Sequence, residues 1–293
     1  MPFHAMTTPH LPRGTRHPVA ALAAAAVVAA MVRRVRALSP GGALAATAVG
    51  GAILAGAGLR GGAATLTFFS SSTLLGRLPE PPRRQQRRGT ERDAVQVIAN
   101  GGVAAALAFA ARSSREGRLL RSGLSGALAT AAADTWATEI GSRANTRPRS
   151  ITTGKPVPVG ASGGVSWQGL LASAAGALSV GAVMSLGPSP GRACARKSLR
   201  AVILGGFCGA LADSLLGATV QEVRRCPVCG EETELPRHGC GMPTTVVRGI
   251  PWFSNDVVNF ASTLVGAAVA MVLSRRETLH SETRCPRNAS ELF

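Results

Sequence analysis

Five stretches of this chain carry no charged side chain: residues 37–59, 61–76, 94–111, 156–191 and 257–274. Crossing the hydrocarbon core of a bilayer takes about 20 apolar residues, with about 17 as the lower limit. Several of these runs reach that length. They are rich in Ala and Gly rather than Leu, which makes each one weak on a hydropathy scale, but small residues let transmembrane helices approach closely. A soluble Ala-rich helical protein would show charged stripes with a helical period, and none is present in these runs. The expectation is all-α: a polytopic transmembrane helical bundle of about six to eight spans.

Composition agrees. Only 16% of the 293 residues are charged, against roughly 25% in ordinary soluble domains. The net charge of +17 raises nucleic acid as a partner, but the cationic residues lie in short clusters between apolar runs and aromatic residues make up only 4%. Nucleic-acid binding is therefore set aside, because base stacking and a continuous basic face are both missing. A hydrophobic share of 46% excludes disorder, and six Cys are too few for a disulfide scaffold.

Eight candidate spans can be marked, at 18–32, 41–59, 61–76, 94–111, 123–141, 163–187, 199–222 and 257–273. Arg60 with Gly61 and Gly62 barely separates the second from the third. Residues 1–17 read as a basic tail or targeting segment, 18–273 as one transmembrane domain and 274–293 as a polar tail. If the spans alternate, loops 33–40, 77–93, 142–162 and 223–256 share one side of the membrane, here called face X. Face X holds 17 Lys and Arg residues and the opposite side 15, which tilts X slightly towards the cytoplasm.

The chain has four Asp residues, Asp93, Asp134, Asp213 and Asp256, and each falls within or at the edge of a span near face X. An Asp at the centre of a membrane helix costs about 2.5–3.5 kcal/mol even on mild scales. Four converging on one face read as a site. Helical spacing groups Asp93 with Gln96 and Asn100, as a polar stripe or as an N-cap followed by packing amides. It puts Asp134 and Glu139 on adjoining faces, as a divalent-cation pair or as carboxylates in a salt bridge to a loop Arg. Gly217 follows Asp213 by one turn and leaves room beside it, while Asn255, Asp256 and Asn259 gather where the last span begins. GALA followed by an Asp occurs both before Asp134 and at Asp213, which is either a worn internal repeat or coincidence.

The loop after span five holds Arg149, Thr152, Thr153 and Lys155 and then Gly163-Gly164 where span six opens. Cations, hydroxyls and glycine amides are what a phosphate cradle needs, though a Gly/Pro-rich interfacial loop would look the same. Cys226, Cys229, His238 and Cys240 form a C-x₂-C knuckle followed by H-x-C, a donor set suited to a structural tetrahedral zinc. A Cys226–Cys229 disulfide is the competing reading.

In this order, RGTERDAVQVIANGG, ADTWATEIGS, PRSITTGKPVPVGASGGVS, ADSLLGATVQ, CPVCG with HGCG, and NDVVN resemble the integral-membrane family that includes the plant phytyl-phosphate kinases and transmembrane protein 19. These blocks cover about residues 88–259. The resemblance implies phosphorylation of an isoprenoid monophosphate, such as phytyl phosphate, to the diphosphate at a bilayer. The donor would be a nucleoside triphosphate, CTP or ATP with CTP preferred, with Mg²⁺. Carried onto this chain, the resemblance implies Mg²⁺ on Asp134, Glu139 and Asp213. Lys155, Arg149, Thr152 and Thr153 would neutralise the transferred group, and Asp93, Gln96, Asn100, Asn255, Asp256 and Asn259 would complete the pocket. A transporter using intramembrane carboxylates and a non-catalytic scaffold are the alternatives.

Overall fold

The computed structural model describes residues 18–79, 91–186 and 192–279. The basic N-terminal segment and the last fourteen residues of the polar tail, 280–293, lie outside them. Seven continuous helices run through the described residues: α1 (Pro18–Arg34), α2 (Pro40–Gly76), α3 (Ala94–Ala110), α4 (Gly117–Gly141), α5 (Trp167–Met184), α6 (Arg192–Thr219) and α7 (Asn255–Leu279). Four of them contain stretches long and apolar enough to cross a membrane: Pro40–Gly76, Trp167–Met184, Arg196–Thr219 and Asn255–Arg276. Two small antiparallel sheets decorate the loops. One pairs β1 (Arg149–Ser150) with β2 (Gly164–Val165); the other orders β4 (Glu232–Thr233), β3 (Val223–Arg225) and β5 (Thr245–Arg248).

A straight helix of 37 residues would be about 55 Å long, well beyond a hydrocarbon core of about 30 Å. Instead α2 folds back on itself. Gly58 sits at φ 66° and ψ −159°, a region open essentially to glycine alone. Beyond it, a methyl group on Gly61 would lie 3.0 Å from the Ile53 side chain, eight residues earlier in the chain. Arg77, just past the end of α2, donates to the Val35 carbonyl just before its start. The two arms, 40–57 and 59–76, are therefore antiparallel and each is about 27 Å long. The expected division into spans two and three is present, with its turn at Gly58 rather than at Arg60. Gly58→Ala is expected to cost about 1–3 kcal/mol through backbone strain, read as a lower unfolding midpoint in detergent; an unchanged midpoint would mean the turn tolerates a side chain.

With α2 counted as two arms, the described residues form eight helical segments, and the ends that carry the polar residues gather on one side, face X. α3 runs parallel to the first arm of α2, since Gly41 faces Ala94 and Gly56 faces the Ala108 carbonyl. The Trp136 indole donates to Ser71 Oγ at 3.0 Å, tying the end of α4 to the second arm.

α4 is the central helix, packed against α2, α3, α5, α6 and α7. Its run from Gly123 to Ala133 is buried throughout. That position explains how a helix with hydroxyls and two carboxylates sits in a membrane protein: its polar groups face protein rather than lipid. The interior is rich in Ala and Gly, with Ala104, Ala127, Ala129 and Ala132 wholly inaccessible beside a few large side chains such as Ile53, Leu124, Leu128 and Val180. Many other large apolar side chains point outward, including Leu44, Leu59, Phe109 and Leu171. In water such a surface would drive association; in a bilayer it is the lipid-facing surface.

Candidate functional site

A cavity of about 1000 Å³ opens at face X. Its walls come from the X-side ends of α2, α3, α4, α5, α6 and α7, from the loop 158–166 and from residues 230–235. Among the described residues, none that lines it comes from the opposite end of the bundle.

The acidic centre joins α4, α6 and α7. Asp213 stands within hydrogen-bonding reach of Asp134 and Ser262, with the Glu234 charge close by. Asp213 Oδ2 is buried and has no hydrogen-bond partner. A buried carboxylate oxygen without a donor, beside a second carboxylate, is an arrangement that a divalent cation satisfies. Asp256 is also buried and lines the cavity with Asn255 and Asn259, from the first turns of α7. Gln96 and Asn100 reach the cavity from α3.

Other expected site residues are placed elsewhere. The Asp93 carboxylate caps α3, accepting from the Gln96 amide at 2.9 Å while the Gln96 side chain accepts from the Asp93 amide at 3.1 Å. This reciprocal capping box holds Gln96 in position, and Asp93 itself does not line the cavity. Glu139 lines it, but its carboxylate pairs with Arg143 at 2.7 Å. Arg143 also donates to the Leu78 carbonyl at 2.9 Å, so the pair braces α4 against the end of α2.

Arg149, Thr152, Thr153 and Lys155 lie on an exposed turn outside the cavity wall. Arg149 donates to the Gly154 carbonyl at 2.9 Å, and the Ser150 amide donates to the Lys155 carbonyl at 2.9 Å, which closes that turn on itself. Gly163 and Gly164 do line the cavity, but they precede the helix. α5 begins at Trp167, capped by Ser166 Oγ, and the Gly164 amide donates to the Ala161 carbonyl at 3.0 Å. Gly163, at φ 79°, lets this loop lie directly on α6, where a methyl group would run into Ala218.

The cavity's cations are ones the sequence reading did not single out. Arg77, Arg92 and Arg225 line it, and the Arg92 guanidinium lies 5.8 Å and 5.1 Å from the Phe68 and Phe69 ring centres. Arg92 adjoins the Asp93 cap, which was the one local signal for it. Glu234 was also missed. It accepts from the buried Gln221 amide at 2.7 Å, a contact across thirteen residues that no local pattern announces.

Beside the cavity, Cys226, Cys229, His238 and Cys240 bring their donor atoms within 4.8 Å of one another. Cys226 Sγ and Cys240 Sγ are 3.6 Å apart and His238 Nδ1 is 3.0 Å from Cys240 Sγ. The His238 contact draws the Cys240 thiol down to about 6, whereas Cys229 is pushed up to about 12, chiefly by its contact with Cys240.

Comparison with known proteins follows the same outline. Residues 23–267 match the family described as Integral membrane protein DUF92. Protein PGR of Arabidopsis thaliana is 33% identical over 242 residues, 74% of this chain and 83% of that protein. An uncharacterized membrane protein of Methanocaldococcus jannaschii is 26% identical, with 84% of this chain and 90% of that one covered. Another from Synechocystis is 28% identical, with 80% and 81% covered. No solved structure matches. The matched stretch runs from within α1 into α7 and takes in every wall of the cavity, so this chain belongs to the DUF92 family of integral membrane proteins.

Proposed function

We propose that this protein is a membrane-embedded phosphotransferase that converts an isoprenoid monophosphate of the phytyl phosphate kind to the diphosphate, using a nucleoside triphosphate, preferably CTP, with Mg²⁺. The observation that carries the reading is the pairing of Asp134 and Asp213 in a cavity at one face of the bundle, where Asp213 Oδ2 is buried without a partner. Phosphoryl transfer needs positioning and charge neutralisation more than covalent chemistry. Asp134 and Asp213 would hold Mg²⁺, which supplies positive charge to the donor phosphates. Arg77 and Arg92, rather than Lys155 and Arg149, line the same space; Arg225 lines it too, but is paired with Glu232.

The acceptor is itself a phosphate. Its second ionisation lies near about pH 6, so it presents an oxyanion at neutral pH and needs no strong general base. That suits the amides of Gln96, Asn100, Asn255 and Asn259 in the lining, which orient rather than accept protons. A prenyl tail would lie along the apolar outer faces of the helices. A transporter would need polar groups that continue to the far side of the bundle, and the cavity lining does not extend there.

The test is lipid-diphosphate formation by purified protein in detergent, with phytyl or geranylgeranyl monophosphate, Mg²⁺, and CTP or ATP in parallel, followed by mass spectrometry. Product is expected, and Arg92→Gln should lower its rate by about 10²-fold while Lys155→Gln stays within about threefold. Folded protein that makes no product with either nucleotide would overturn the reading. The reverse order of the two variants would move the phosphate site to the exposed turn.

A further inference from the structure

We propose that Cys226, Cys229, His238 and Cys240 hold a zinc ion, and that this ion braces the cavity wall formed by residues 230–235. The segment between α6 and α7 has almost no apolar interior of its own. Within 224–250 the buried side chains are Cys226, Thr233, His238 and Thr244, whereas Val228, Met242, Val246 and Val247 are exposed. A loop so short of buried apolar surface needs another source of folding energy, and small domains obtain it from a metal or disulfides.

The donor geometry fits a tetrahedral ion. Two thiolates about 2.3 Å from zinc stand about 3.8 Å apart, and Cys226 Sγ and Cys240 Sγ are 3.6 Å apart. The Cys226–Cys229 and His238–Cys240 turns are each followed by a glycine in the left-handed region, Gly230 at φ 70° and Gly241 at φ 83°, which lets each short loop wrap its two donors around one point. His238 points Nδ1 at the cluster, and its Nε2 is 3.1 Å from the Glu231 carboxylate. A carboxylate behind a histidine ligand orients the ring and raises its basicity.

Glu231 is the link to the cavity. It lines that space, and its own carbonyl accepts from the Cys226 amide at 2.9 Å. Two residues further on, Thr233 pairs with Arg224, and Glu234 accepts from Gln221 beside Asp213. An ion that fixes Cys226 and His238 therefore fixes both ends of the short segment carrying Glu231 to Glu234. Four protein donors leave no open position on the ion, so its role is structural.

The experiment uses the full chain in detergent under reducing conditions. Elemental analysis should find about one zinc per chain, and replacement by Co²⁺ should give the thiolate-to-cobalt absorption of a tetrahedral site. Cys226→Ser and Cys240→Ser should lose the metal. Glu231→Gln should retain the fold and bind zinc about 10- to 100-fold more weakly in competition with a chelating dye. Stripping the metal should expose Arg224 and Arg225 to trypsin, because β3 then loses its partner strands. Protein free of zinc and silent with Co²⁺, or a Cys226–Cys229 disulfide found by mass spectrometry, would overturn the metal site. Bound zinc whose removal leaves tryptic cleavage unchanged would overturn the brace. None of these readouts requires turnover, so they stand or fall separately from the phosphotransferase reading.

Discussion

Asp213→Asn is expected to lower lipid-diphosphate formation by about 10²–10³-fold, the range seen when a group that stabilises developing charge is removed, while the protein inserts and unfolds as before. The substitution keeps shape and removes only the charge. Asp213 makes its strongest demand on its surroundings through the buried Oδ2 that finds no donor in the protein, so a neutral amide there costs the fold little and costs a bound cation much. Asp134→Asn should have a similar effect, and the double variant should fall well short of the product of the two, because residues that act as one unit are not additive. Glu139→Gln supplies the contrast. Its carboxylate pairs with Arg143 at 2.7 Å, so the loss should appear as about 1–3 kcal/mol of stability with turnover per folded molecule nearly intact. Equal losses of turnover in all three would return Glu139 to the metal site, and full activity in Asp213→Asn would remove the acidic pair from the chemistry.

The second large effect concerns the crossing of α4, α6 and α7. A methyl group on Gly266 would overlap Thr130 Oγ1 and come within 2.9 Å of the Gly205 carbonyl and 3.1 Å of the Gly126 carbonyl. Overpacking a tight core costs typically about 1–3 kcal/mol, and with a buried hydroxyl and two backbone carbonyls around it Gly266→Ala should sit at the upper end. Gly266→Val should prevent accumulation of folded protein. Thr130 is buried and donates to the Gly126 carbonyl at 2.9 Å, so Thr130→Ala alone carries a modest penalty. Combined with Gly266→Ala it removes the worst overlap, and the pair should recover about 0.5–3 kcal/mol relative to the sum of the singles. Thermal unfolding of the four proteins in one detergent measures this; strict additivity would mean that the two residues do not meet.

The helical passes were legible because a bilayer demands long charge-free runs, and nothing else in the sequence competes with that signal. The position of the α2 turn was not. Six glycines lie between residues 50 and 62, and composition gives no sign of which one adopts the backbone angles of a reversal. In the site, the gathering of Asp134, Asp213, Asp256, Asn255 and Asn259 at one face followed from alternation alone. Glu139 and Asp93 were ambiguous for a physical reason: a carboxylate near a helix end can serve a metal, a cap or an ion pair, and the partner decides. For Asp93 the partner is the Gln96 amide three residues on, and for Glu139 it is Arg143 one turn on. The Cys and His donors were readable because their clustering is local. Arg77, Arg92 and Glu234 were not, because the chain brings them to the cavity from distant segments.

The Ala and Gly interior bears on how such a site can move. Ala and Gly have no rotamers to lose on ordering, so the passes meet without side-chain conformational entropy opposing them, in a solvent where hydrophobic burial offers little drive. At the glycine crossings backbone meets backbone, with no flexible side chain between to absorb sliding. Where Gly126, Gly205 and Gly266 meet, even a methyl group does not fit. The frame is stiff at that crossing, and movement of the cavity walls falls to the connections at face X, the loop 158–166 and residues 230–235.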